Sequence, residues 1–171
     1  SGKGTLCKQI SEKYHCKWLS AGNLLRKTND QQIIKIINTG KLVPSDIIVD
    51  LICKEINKSE PDNYDFIILD GFPRSIDNLK HFLNNKPIDL IINLDISEDI
   101  VCSRLLCRED NRDDDNIDTI KERILVYKNL TTEILNESQI QCIHLNANQS
   151  QQNVFKSFDY MVIPFILGCN I

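Results

Sequence analysis

Apolar residues along this chain fall into two rhythms that alternate from one end to the other. Short unbroken runs of Ile, Leu, Val and Phe occupy Phe66 to Leu69, Leu90 to Leu94, Ile140 to Leu145 and Val162 to Leu167, with a shorter piece at Lys17 to Leu19. A run without polar alternation is what a strand buried on both faces of a parallel sheet requires. Between these runs the spacing turns helical. Val101, Leu105 and Arg108 stand at i, i+4, i+7, and Ile120, Ile124, Tyr127 and Leu130 carry a similar stripe onward. Ser45, Ser97 and Ser150 each precede such a segment, where a hydroxyl can cap the first unpaired amides. Strands alternating with helices predict right-handed βαβ units and a parallel sheet covered on both faces. Such a fold binds ligands beyond the carboxyl ends of its strands. No repeat, low-complexity tract or linker interrupts the pattern, so residues 1–171 are expected to form a single domain.

Composition narrows the choice of chemistry. With 42% hydrophobic and 26% charged residues the chain can build a core and is not disordered. Its net charge of −4 argues against a nucleic-acid partner, which calls for a basic excess. Any phosphate-bearing substrate must then be held by local clusters of Arg and Lys. Seven cysteines lie scattered with no C-x-x-C pair and no ligand-spaced His, which speaks against a zinc site. They are expected to be buried reduced thiols of a cytosolic protein. No apolar run approaches the ~20 residues of a membrane span, and Ser1-Gly2-Lys3-Gly4-Thr5 is no signal peptide.

That opening pentapeptide precedes an amphipathic stretch marked by Leu6, Ile10 and Tyr14. Glycine amides at a helix start make an anion cradle, and a lysine there can reach β- and γ-phosphates. The generic phosphate loop reads G-x-x-x-x-G-K-[ST]; here the hydroxyl residue comes one position late and the first half is missing before Lys3. Residues 161–171, M-V-I-P-F-I-L-G-C-N-I, offer that half at the other end: a hydrophobic run, then Gly168. Joined to residue 1, Gly168 and Gly2 acquire the loop's spacing, and Met161 is the single methionine. The expectation is a circularly permuted or rotated order, with Val162–Leu167 as a central strand between those beginning at Phe66 and Leu90. Ile171 would then lie beside Ser1.

Further motifs follow in order. Leu19-Ser20-Ala21-Gly22-Asn23-Leu24-Leu25-Arg26 joins a strand end to a short helix bearing one arginine, and Gly40-Lys41-Leu42-Val43-Pro44 leads into an acidic-capped helix. Ile68-Leu69-Asp70-Gly71-Phe72-Pro73-Arg74 places a carboxylate and then a guanidinium at the site-bearing end of a strand, where the carboxylate can order the water shell of Mg²⁺. Arg104, Arg108 and Arg112 recur every fourth residue before Asp113-Asp114-Asp115, with Arg123 beyond. Like charges so spaced repel unless an anion lies between them.

Taken together, S-G-K-G-T, L-S-A-G-x-L-L-R, G-K-L-V-P, L-D-G-F-P-R and R-x-D-D-N resemble the adenylate kinase and UMP/CMP kinase family. With the rotated terminus the resemblance covers nearly the whole chain. It implies a five-stranded parallel sheet with helices on both faces, a monophosphate-binding flap at about 20–52 and a short lid at about 108–117. It also implies γ-phosphoryl transfer from ATP, with Mg²⁺, to a nucleoside monophosphate by a monomeric cytoplasmic enzyme. Carried over by position, Lys3 cradles the ATP phosphates together with Gly168, Ser1, Gly2, Gly4 and Thr5, and Arg104 and Arg108 lie on the ATP side. Arg26 and Arg74 grip the acceptor's phosphate, in a site that Ala21, Gly22, Val43, Gly71 and Asn78 complete. Arg112 and Arg123 neutralise the transferring group, ordered by Asp114 and Asp115, and Asp70 holds Mg²⁺ through water. Such chemistry needs positioning and charge neutralisation, which Arg forks supply well.

Ala21 and Asn78 resemble the UMP/CMP kinases, where adenylate kinases usually carry Thr and Gln. A pyrimidine acceptor is therefore expected, with AMP as the alternative acceptor and a binding module without turnover as the alternative class. The flap is shorter than the family's, and the lid reads Glu109-Asp110-Asn111 without the usual Gly. That extra negative charge is expected to weaken nucleotide binding.

Overall fold

The computed structural model describes residues 2–39, 41–59, 62–106 and 117–168, with backbone alone at 105, 106, 117–123 and 126. Helix α1 (Lys3–Lys13) leads into β1 (Cys16–Ser20), then α2 (Ala21–Arg26), α3 (Gln31–Asn38), α4 (Ser45–Ser59) and β2 (Phe66–Asp70). The second half runs α5 (Ile76–Leu83), β3 (Ile91–Asp95), α6 (Glu98–Leu106), α7 (Ile117–Glu137), β4 (Cys142–Asn146), α8 (Gln151–Met161) and α9 (Ile163–Leu167). These strands fall on four of the five apolar runs, with ends slightly shifted. β1 pairs with β2 and β3 with β4, both parallel. The register sets Ser20 beside Asp70 and Asp95 beside Asn146, so each pair ends in one shared carboxyl edge. Among the described residues these ladders make two two-stranded sheets.

Strand alternation explains the unbroken apolar runs. Phe66 and Ile68 of β2 join Leu6 and Ile10 of α1 in one core cluster, while Ile67 and Leu69 join Ile48 and Ile52 of α4 and Phe82 of α5 in another. Both faces are covered, so neither can be polar. The first cluster continues into the other sheet through Ile92, Leu94, Ile143 and Leu145, and is closed by Val154 and Phe158 of α8. Side-chain caps start three helices: Asp30 Oδ1 accepts from the Gln32 and Ile33 amides, Ser75 Oγ from Asn78, and Ser150 Oγ from Asn153. Ser150 was expected in that role; Asp30 and Ser75 were not.

One expectation is overturned. Val162 to Leu167 is not a central strand but continues helically from α8. The Val162 amide donates to the Phe158 carbonyl at 2.8 Å and the Ile166 amide to Val162 at 3.0 Å. Pro164 sits in the first turn of α9, where its missing N–H costs nothing, whereas inside a central strand it would leave a ladder acceptor unpaired. Gly168 closes α9 in the left-handed conformation at φ 65°. The apolar run was ambiguous because short runs of this length suit a helix packed on a core as well as a strand. Val162 is fully buried, and Ile163 and Ile166 pack partly on the first cluster. The permuted order loses its strand with this finding; Ser1 and residues 169–171 lie outside the described residues.

Candidate active site

Gly2 caps α1 at φ 89°, a region costly for a residue with a Cβ. Its carbonyl accepts the Leu6 amide at 3.0 Å, while the first amides of a helix have no partner within it and point outward as an anion cradle. Three charged side chains converge on that start. Lys3 Nζ stands 5.4 Å from the centroid of the Tyr127 ring. A Cβ added to Gly2 would meet Arg104 Nη1 at 3.7 Å, and one added to Gly4 would meet Asp70 Oδ2 at 3.8 Å. Arg104 is aimed by its other nitrogen, Nη2, which donates to the Gln149 carbonyl at 2.9 Å. Gly2, Thr5, Arg104 and Gln151 line one small cleft. Beneath it Cys7 is buried, and desolvation with the nearby Asp70 charge pushes its thiol up to about 12.

The β1–β2 register brings the second half of the site to the same edge. Ser20 and Asp70 are paired, so α2 with Ala21, Gly22 and Arg26 leaves beside Gly71 and Arg74. Arg26 folds back over Gly22: its Nη2 donates to Asn23 Oδ1 at 3.3 Å and would lie 3.1 Å from a Cβ on Gly22. Arg74 Nε donates to the Gly71 carbonyl at 3.1 Å, and Gly71 takes φ 71° to present it. Crowding by protein atoms lowers the Arg74 pKa and the Asp70 carboxylate raises it, yet the side chain keeps access to solvent and its charge. Ala21 and Val43 are buried.

Asn78 is buried too, and its amide is oriented by the protein. Oδ1 accepts the Arg74 backbone N–H at 3.2 Å, while Nδ2 donates to Ser45 Oγ at 2.8 Å. Asn78 thereby ties α4, α5 and the Arg74 turn together.

The structure thus joins Gly2, Lys3, Gly4, Thr5, Asp70 and Arg104 on one side and Ala21, Gly22, Arg26, Gly71, Arg74 and Asn78 on the other. Gly168 ends α9 instead of a strand. Ser1, Arg108, Arg112, Asp114 and Asp115 lie outside the described residues, as does the Arg123 side chain. Sequence reasoning missed Ser45 as a partner of Asn78, and it missed a polar group on β3 and β4. Asn93, Asp95 and His144 interrupt apolar runs at every second position, which was the available signal.

A helix-start cradle flanked by Lys, Arg and a carboxylate, with arginines along the same parallel-strand edge, has the groups that phosphoryl transfer calls for. Comparison with known proteins agrees. The family described as adenylate kinase matches residues 1–141. A UMP-CMP kinase of Prunus armeniaca is 40% identical, over 96% of this chain and 74% of its own. UMP-CMP kinase 2 of Oryza sativa is 36% identical over 91% and 67%, and adenylate kinase 1 of Schistosoma mansoni 31% over 96% and 89%. The chain belongs to the adenylate kinase family and is a nucleoside monophosphate kinase.

Proposed function

We propose that the protein transfers the γ-phosphoryl group of ATP to UMP or CMP, releasing ADP and the nucleoside diphosphate. The observation that carries the choice of base is Asn78. With Oδ1 bound to the Arg74 amide and one Nδ2 hydrogen given to Ser45, the amide offers its second hydrogen as a donor. Uracil and cytosine carry carbonyl acceptors for this donor; adenine's ring nitrogens accept too, so it is the shorter reach of Asn, where adenylate kinases usually carry Gln, that favours the smaller base. Relatives named UMP-CMP kinase point the same way.

In this reading the amides behind Gly2, with Lys3 and Arg104, hold the ATP phosphates, and Arg26 and Arg74 hold the acceptor's phosphate. Arg108, Arg112 and Arg123 neutralise charge on the transferring group. The residues suit Mg²⁺: Asp70 and Thr5 offer hard oxygen donors, and the described residues contain no cluster of three or more ligands. That donor set matches an ion that keeps waters and binds mainly to phosphates. Held there by Asp70 and Thr5, Mg²⁺ would supply charge neutralisation on the ATP phosphates. A single parallel sheet belongs to the same reading, because β2 and β3 each have one edge without a ladder partner among the described residues and share one core cluster. So does a monomer in the cytosol, where the free Cys7, Cys16, Cys53, Cys102 and Cys142 stay reduced.

Coupled ADP release with UMP, CMP, dCMP and AMP as acceptors tests the proposal. UMP or CMP is expected to show the highest kcat/KM. A tenfold preference for AMP makes the protein an adenylate kinase, and no release with any acceptor makes it a binding module.

A further inference from the structure

β3 and β4 bury Ile92, Leu94, Ile143 and Leu145 in the core, so alternation puts Asn93, Asp95 and His144 on the opposite face. There they form a hydrogen-bonded group. Asn93 Nδ2 donates to Asp95 Oδ1 at 2.6 Å, and His144 Nδ1 stands 3.1 Å from Asp95 Oδ2. A carboxylate only accepts, so Asp95 dictates which end of the Asn93 amide turns toward it. The other end, Oδ1, faces α7 and accepts from Tyr127 Oη at 3.2 Å. The ion pair of Lys128 with Glu98 ties this stretch of α7 to α6. The ring so fixed is the one under Lys3 Nζ.

We propose that Tyr127 is a positioning residue for phosphoryl transfer, its ring seating the Lys3 ammonium at the cradle while Asn93, Asp95 and His144 hold the ring. The inference rests on Lys3 being the phosphate-loop lysine. A lysine has four rotatable side-chain bonds, and freezing them is unfavourable unless something restrains the ammonium. A carboxylate could do this, but its charge would compete with phosphate for the same cation. A ring face attracts the ammonium without cancelling it. In this role Tyr127 acts through Lys3.

A double-mutant cycle tests this, with the Lys3→Met variant reporting separately on the phosphate-loop reading itself. Tyr127→Leu should lower kcat about fivefold, as loss of an exposed cation–π contact implies, with the KM for the acceptor unchanged. Tyr127→Phe keeps the ring but loses the hydroxyl that Asn93 holds, so its kcat should fall between wild type and Tyr127→Leu. In the Lys3→Met background, Tyr127→Leu should bring no further loss. An equal fivefold loss in that background, or a Tyr127→Phe variant as slow as Tyr127→Leu, overturns the proposal. If Lys3→Met itself retains its rate, the phosphate-loop reading fails instead. Asn93→Ala gives a second route should Tyr127→Leu not fold: it must lower kcat in the wild type and not in Lys3→Met, and equal losses in both again overturn the proposal.

Discussion

Lys3 is the residue whose loss should matter most. Its charge stabilises the transferring phosphates more than it does the fold, so the interaction grows toward the transition state. Lys3→Met is expected to remove nearly all turnover while circular dichroism and the thermal midpoint stay close to wild type. Retention of more than about a tenth of kcat contradicts that role, since loss of one preorganised electrostatic group costs on the order of a hundredfold or more. Cys7, one helical turn on, gives a prediction of a different kind. Its thiol is raised from 9.0 to about 12 by burial and then by Asp70. The folded state thus keeps a proton that the unfolded chain sheds above pH 9, and the unfolded state gains. The stabilisation is complete below pH 9 and is lost as pH rises toward 12. Lys13, Tyr14 and Cys16 are raised as well and act in the same direction. Urea midpoints should therefore fall on the alkaline side of pH 9, and Cys7→Ala should flatten that fall. An unchanged slope in Cys7→Ala means that the thiol ionises freely in the fold.

At the scale of elements, α5 links stability to substrate. Ser75 caps it by accepting the Asn78 amide at 3.1 Å, and the same Asn78 orients Ser45 and the Arg74 backbone. Ser75→Ala should cost about 1 kcal/mol, a fall in Tm of about 2–4 °C for a chain of this size. It should also raise the KM for UMP while leaving that for ATP unchanged. An equal rise for both substrates separates the cap from the acceptor site. Much of this scale was legible beforehand. β2 was visible because both its faces are covered, which forces an unbroken apolar run, and Asp70-Gly71-Phe72-Pro73-Arg74 was placed at its end by that same run. The cap at Ser75 was hidden behind Arg74, whose chemistry drew the eye. Val162–Leu167 was misread because composition cannot tell a strand from a short helix lying on a core; Pro164, in plain view, was the discriminating residue. The Tyr127–Asn93–Asp95–His144 group was invisible for another reason. Its members come from three elements, and only the parallel pairing of β3 with β4 brings them together.

For the whole molecule the question is whether two strand pairs without a common ladder fold as one unit. No backbone hydrogen bonds join β1–β2 to β3–β4 among the described residues, so any coupling must come from side chains. One core cluster supplies it: Cys16, Phe66 and Ile68 from the first pair and Leu94, Ile143 and Leu145 from the second meet across Leu6 and Ile10 of α1 and Phe158 of α8. Phe158, Leu145 and Val162 are 0% exposed and Ile10 1%, so no water separates these contacts. The Lys13–Asp159 ion pair and the 2.8 Å bond from Tyr14 Oη to Asp159 clamp α1 to α8 at the surface of the same cluster. Phe158→Ala should cost about 3–5 kcal/mol, the usual range for emptying a buried aromatic site. That is a large share of the ~5–15 kcal/mol that holds a domain folded. The informative measurement is how the loss distributes. Trp18, the single tryptophan, lies in β1 and reports on the first pair through its fluorescence, while far-ultraviolet circular dichroism reports on every element. If the shared cluster couples the pairs, both signals follow one urea transition in wild type and shift together in Phe158→Ala. A Trp18 transition that stays in place while the dichroism curve moves or splits shows the two pairs to be independent, and the core cluster to be contact without cooperativity.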